Sequence, residues 1–211
     1  MSVVEYVAKA RVAASAMLMV PGMPFIYYGE EIGMLGPKPD ETIRTPMQWS
    51  GVLNGGFTTG TPWEAMQPDW KTKNVAAQDA DVGSLLNHYR RLIRLRNTHV
   101  ALSRGRLVMA STTPSLSRLT PTLPNGWRAT TAFMRVDPHE TLLVALNFGD
   151  VPATNFRATV PPGTGAFDFR LLYADPDGGC TKPQTTGLGT AVNIESISAH
   201  GLCVFELTSP Q

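Results

Sequence analysis

The change of pattern near residue 100 constrains this chain most. From Ala101 on, short runs rich in Val, Leu, Phe and Thr succeed one another, with turns and no helical stretch between them. "GWRATTAFMRV", "ETLLVALNF" and "GLCVFEL" are such runs, and "VDPHE" joins the first two as a hairpin connection. "VPPGTG" and "YADPDGG" supply further turns. Strands in succession bury their apolar faces by stacking sheets, so an antiparallel sandwich is expected over 101–211. Residues 1–100 carry helical and loop signals instead. The chain is therefore read as α+β, with domains at 1–100 and 101–211.

The first half opens on "AKARVAASAMLMV", an apolar helix stopped by Pro21 and Gly22. It imitates a signal peptide. However, Glu5 occupies the region that has to be basic, and no small-x-small cleavage site follows. The run is also too short to span a bilayer. A soluble chain without membrane association or a signal peptide of its own is expected, with the compartment open and the cytoplasm favoured. "MPFIYYG" then reads as a buried strand leading into the adjacent acids Glu30 and Glu31. A long irregular segment follows, rich in Pro and Gly and holding all but one of the four tryptophans. Such loops are usually functional. "DVGSLLNHYRRLIRLRNTH" reads as an amphipathic helix with Asp81 as its N-cap. Leu85, Leu86, Tyr89, Leu92 and Ile93 form its apolar face, and Arg90, Arg91 and Arg94 lie off it.

A net charge of +1 without a basic run argues against nucleic acid as a partner. No phosphate-cradling glycine loop appears, so no cofactor is expected. His88, His99, His139 and His200 form no metal-ligand spacing, and each is expected to be a surface or capped residue. Cys180 and Cys203 are read as buried free thiols, with pairing open in an oxidising compartment.

Four stretches in order carry a resemblance: "AKARVAASAMLMVPGMPFIYYGEEIGM", "IRTPMQWS", "GGFTTGTPW" and "LLNHYRRLIRLRN". They closely resemble the C-terminal part of the alpha-amylase family of glycoside hydrolases. The nearest look is to its bacterial alpha-glucosidase and oligoglucosidase members. "AFMRVDPHETLLVALNF" and "GLCVFEL" are similar to that family's small C-terminal sandwich. The resemblance implies the end of a (β/α)8 barrel: a helix, the last strand "MPFIYYG", a long loop and a closing helix. It also implies that the family's nucleophilic Asp, acid/base Glu and third Asp have no matching positions here, since they come from earlier strands.

A retaining glycosidase needs two carboxylates roughly 5–5.5 Å apart. Glu30, Glu31 and Asp40 are the candidates for a rebuilt pair, although neighbouring strand residues point to opposite faces. The stretch "PDETIR" resembles the family loop in which an Asp and an Arg four residues on hold glucose hydroxyls. That implies substrate contacts for Asp40 and Arg44. An acceptor carboxylate beside a rigid donor fork suits a sugar ring, while a plain surface salt bridge is the bland alternative. Trp49 and Trp63 are candidates to stack on sugar or to pack as core.

Three readings follow. The chain is a truncated alpha-glucan hydrolase without independent catalysis, a maltooligosaccharide-binding module, or a minimal amylase with a rebuilt carboxylate pair. An apolar barrel strand without neighbours further predicts self-association.

Overall fold

The structure, a computed structural model, describes residues 3–113, 129–176, 179–184 and 189–209. Residues 126–128 of "GWRATTAFMRV" and 177–178 of "YADPDGG" lie outside them. The chain divides into two compact units, 24–93 and the pair of segments 1–23 and 94–211.

Helix α1 (Val3–Met19) buries Val12, Ala14, Leu18 and Met19. It ends where the sequence stops it: Pro21 bars helical geometry at the residue before it, and Gly22 adopts a φ of 108°.

Within 24–93, the expected strand "MPFIYYG" is not one. Residues 23–27 carry no sheet pairing, and Phe25 is 80% exposed. Apolarity alone predicted burial, but among the described residues no strand lies alongside to supply it. A single 3-10 turn, Glu30–Ile32, follows. It is bounded by Gly29 (φ 86°) and Gly33 (φ 74°), conformations that suit glycine. Helix α2 (Asp40–Ile43) leads into the long segment, which is folded on itself. The Trp49 and Ser50 amides both donate to the Gly55 carbonyl at 2.8 Å. The fully buried Gln48 side chain donates to the Lys73 carbonyl. Asn74 caps α3 (Val75–Ala80), its Oδ1 accepting from the Ala77 amide at 2.9 Å. Helix α4 (Leu85–Thr98) keeps the expected face, burying Leu85, Leu86, Tyr89 and Leu92, with Arg90 and Arg94 exposed. Its cap differs from expectation. Ser84 Oγ accepts from the Asn87 amide at 3.2 Å, while Asp81 accepts from Gly83 in the preceding turn. Ile32, Met47 and Leu86, with Met34 and Val75 packed on them, form this unit's small core.

In the other unit, α5 (Val100–Arg104) precedes nine described strands: β1 (Arg106–Met109), β2 (Ser111–Thr113), β3 (Thr130–Asp137), β4 (Glu140–Asn147), β5 (Ala153–Thr159), β6 (Asp168–Ala174), β7 (Cys180–Gln184), β8 (Ala191–Ile197) and β9 (Leu202–Thr208). They form two antiparallel sheets, ordered β1-β3-β4-β9-β6 and β2-β5-β8-β7. The predicted hairpin is present: β3 and β4 pair from Thr130 with Asn147 to Asp137 with Glu140. Met134, Leu143 and Phe205 of the first sheet share one cluster with Phe156, Val192 and Ile194 of the second. Side chains alternate along a strand, so Leu142, Val144 and Val204 face the opposite way. They too are fully buried, and α1 and α5 pack on β3 and β4. A sheet covered on both faces explains the near-continuous apolar run "LLVAL".

Three further expectations are corrected here. Cys180 and Cys203 form a disulfide, Cα to Cα 6.0 Å. Strand pairing sets Cys180 opposite Ile197 in one sheet and Cys203 opposite Ala145 in the other, so the bridge joins the sheets. Sequence spacing does not show that proximity. His88 is buried in α4, and His200 is buried at a φ of 55°, its Nε2 3.1 Å from Asp150 Oδ1.

Candidate functional site

The acids of the early turn are largely in structural use. Glu30 Oε1 accepts from the Tyr89 hydroxyl at 2.7 Å, and its Oε2 accepts from the Tyr27 amide at 3.2 Å. Glu30 therefore ties the turn to α4 and caps its own backbone. Glu31 is half-buried, and its Oε2 is enclosed without a partner among the described residues.

Asp40 and Arg44 come together as the sequence suggested. One turn of helix sets residues four apart on one side. Arg44 Nη2 lies 3.0 Å from Asp40 Oδ2, and Lys38 Nζ lies 2.5 Å from Asp40 Oδ1. Tyr28 stands beside them. Its hydroxyl donates to the Thr45 carbonyl at 3.1 Å, and burial of that end, with Tyr27 nearby, raises the phenol above its ordinary pKa. Arg44 pulls it the other way. Gln67 anchors the turn from the long loop, donating to the Thr42 carbonyl at 2.8 Å. Trp49 (51% exposed) and Trp63 (60%) present their rings to solvent. Neither bonds to the Asp40 and Arg44 pair among the described residues. Trp70, the third loop tryptophan, carries Lys71 Nζ 5.5 Å from its ring centroid.

A second polar site, which the sequence did not reveal, is a cavity of about 380 Å³ lined by Asp137, His139, Glu140, Thr141 and Glu206 among others. Its three carboxylates are all engaged. Asp137 meets Arg104 at 3.4 Å, and Glu206 accepts from Arg170 Nε at 2.8 Å. Glu140 lies 2.5 Å from His99 Nδ1 and accepts from the Ala101 amide at 2.9 Å. That last bond makes Glu140 a cap for α5 supplied from β4. Among the described residues no group of three or more His, Cys, Asp or Glu is placed to hold a metal ion. None of the described helices is long and apolar enough to cross a membrane.

Two arginines missed by the sequence reading are also buried. Arg135 Nη1 donates to the Met19 carbonyl at 2.6 Å, and its Nε and Nη2 donate to the Gly105 carbonyl at 3.2 and 2.9 Å. Arg96 donates to the carbonyls of Leu18, Val20 and Gly22 at 2.5, 3.0 and 2.6 Å. Both cations thus gather on the C-terminal end of α1, where the helix dipole favours them. Burial, with Arg96 close by, lowers the Arg135 pKa to about 10, and burial lowers that of Arg96 as well. An Arg in an alternating strand reads as solvent-facing, so only the packing of α1 and α5 on the sheet exposes this role.

Comparison with known proteins identifies the family. The alpha-amylase catalytic-domain model matches residues 2–105. Alpha-amylase SusG of Bacteroides thetaiotaomicron is 36% identical over 143 residues, 67% of this chain and 19% of its own length. Alpha-amylase 3 of Dictyoglomus thermophilum is 40% identical over 101 residues, 47% of this chain and 20% of its own. The alpha-amylase structure from H. orenii superposes with a TM-score of 0.69 at 30% identity, over 95% of this chain and 36% of that one. A trehalulose synthase from Pseudomonas mesoacidophila, 22% identical, shares the fold with a TM-score of 0.71 over 96% and 39% of the two chains. Residues 2–105 belong to the alpha-amylase family of glycoside hydrolases. The chain spans 19% and 20% of the length of these two curated relatives.

Proposed function

We propose that this chain is the closing portion of an alpha-glucan-acting hydrolase and does not catalyse glycoside hydrolysis by itself. In this reading residues 1–100 are the end of a (β/α)8 barrel and residues 101–211 its C-terminal sandwich. One observation carries the proposal: the carboxylates available for a rebuilt pair are committed or uncoupled. Glu30 has both oxygens bonded within the fold, and Asp40 is held between Lys38 and Arg44. A general acid must carry a proton and its partner must stay ionised beside the scissile bond. Glu30 and Asp40 are each engaged on both carboxylate oxygens, so Glu31 has neither of them free to pair with, and the minimal-amylase reading lacks its pair.

The test is reducing-sugar release from maltoheptaose by the purified chain, beside Asp40→Ala and Glu31→Gln. No release is expected. Release abolished by either substitution establishes a rebuilt site and overturns the proposal.

Maltooligosaccharide binding is supported as a second reading by the Asp40 and Arg44 pair, which stays partly exposed, and by the open rings of Trp49 and Trp63. Asp40 accepts hydroxyl protons, Arg44 donates, and an indole face suits the C–H side of glucose. Calorimetric titration with maltoheptaose checks it. Heat that disappears in Asp40→Ala supports retained sugar contact, and no heat in the parent chain removes this reading.

A further inference from the structure

The disulfide between Cys180 and Cys203 joins two unlike surroundings. Cys203 lies on β9, an interior strand between β4 and β6, and is fully buried. Cys180 opens β7, the edge strand that pairs with β8 alone in its sheet, and it stays half-buried against the core. Gly179 brings the two together, because it is buried and a Cβ there would come within 2.6 Å of the Leu202 carbonyl at the start of β9. The bond accounts for both cysteines of the chain. We propose that Cys180 is a thiol–disulfide exchange site for a small thiol such as glutathione, with Cys203 as its resolving partner, so that the bond is a reversible latch of β7 onto the sandwich.

Exchange proceeds in line with the bond that breaks, so the sulfur attacked has to be open on the side away from its partner. Cys203 offers no such approach, because β4, β6 and the shared core enclose it. Cys180, half-buried on an edge strand, does. A thiolate attacking Cys180 Sγ forms a mixed disulfide there. The bond to Cys203 breaks with its electron pair on the Cys203 sulfur, which takes up a proton. That sulfur lies 3.2 Å from the Gly179 carbonyl, an acceptor in place for the thiol proton. A second thiolate then displaces Cys180, leaving two thiols on the chain and one small disulfide. In reverse, the Cys180 thiolate attacks a small disulfide and Cys203 displaces the bound thiol. An accessible cysteine poised beside a resolving one is a recurrent arrangement of reversible redox sites.

Opening the latch frees the start of β7 from the other sheet. The strand is then held by its ladder to β8, which runs from Cys180 with Ile197 to Gln184 with Asn193. A strand paired on one side only belongs to the less stable end of a fold, where local opening begins. The β7 amides should therefore exchange with solvent faster in the reduced chain, while those of β3 and β4, interior strands of the other sheet, keep their protection. Oxidising surroundings keep the latch closed, and a reducing thiol pool opens it. The proposal is independent of whether the chain binds or cleaves glucans.

Reduced glutathione added to the folded full chain tests it, with acid quenching and peptide mass spectrometry. A mixed disulfide on Cys180 is expected before both thiols appear, and the β7 amides should exchange roughly tenfold faster or more once the bond is open. In Cys203→Ala, oxidised glutathione should leave a stable adduct on Cys180. In Cys180→Ala, the adduct on Cys203 should form roughly tenfold more slowly or worse while the chain is folded, and as fast as on Cys180 once urea unfolds both variants. The adduct on the parent chain needs no variant, so it reads the site even where a variant does not fold. An adduct on Cys203 in the folded parent, or reduction that passes through no Cys180 adduct, overturns the proposal. A bond that glutathione reduces only after urea has unfolded the chain overturns it equally, since the disulfide is then an inert staple.

Discussion

Replacing Arg135 by Met removes a cation that is fully buried and bonded only to backbone carbonyls. Three charged-donor hydrogen bonds contribute about 1.5–3 kcal/mol each, or about 5–9 kcal/mol together. Two of them converge on the single Gly105 carbonyl, so the low end applies. Against this stands the cost of burying the charge. Lowering the pKa from the ordinary arginine range to about 10 corresponds to about 3 kcal/mol at neutral pH. The net expectation for R135M is a loss of about 2–3 kcal/mol, with Met19 and Gly105 left carrying unbonded carbonyls. Urea unfolding followed by far-UV circular dichroism should show a lower midpoint at unchanged slope. Arg170→Met, which breaks an exposed cross-strand pair with Glu206, should cost no more than about 1 kcal/mol. The sign of the pH effect follows. From about pH 10 up to the ordinary arginine range the unfolded chain keeps a proton that folded Arg135 has given up. Parent stability therefore rises relative to R135M over that window and is lowest, relative to it, below pH 10. An R135M chain as stable as its parent at pH 7 refutes the claim that these carbonyls need the guanidinium.

Two further outcomes are expected. Cys203→Ser opens a loop closed across a separation of 23 residues and should cost about 3 kcal/mol, with reducing agent lowering the parent's urea midpoint to match. Tyr89→Phe leaves the Glu30 carboxylate with one donor fewer and should cost about 1–2 kcal/mol. A double-mutant cycle with Glu30→Gln should show coupling, and strict additivity would mean that the 2.7 Å bond does not hold α4 to the turn.

What the sequence made legible was whatever depends on local pattern. The β3 and β4 hairpin is visible in alternation around "DPHE", and the α4 face is visible in its leucine spacing. The Asp40 and Arg44 pair follows from four-residue spacing within one helical turn. The errors lie where partners decide. Asp81 and Ser84 are both good caps, and only the turn geometry selects Ser84. "MPFIYYG" is apolar enough to be buried, yet its burial needs neighbouring strands. Arg135 and the two cysteines were opaque because their partners are 23 to 116 positions away.

The two arginines on α1 also bear on where this protein can be divided. The strands after residue 105 have the look of a detachable module, with their own sheets and shared core. Yet Arg96 bonds to the carbonyls of Leu18, Val20 and Gly22, and Arg135 to that of Met19 besides Gly105, so both reach back more than seventy residues to the end of α1 and the turn after it. Cutting the chain between the helix and the strands strands two buried charges. Any recombination that moves these sheets to a new host has to carry the α1 end along, or replace Arg135 with an apolar residue.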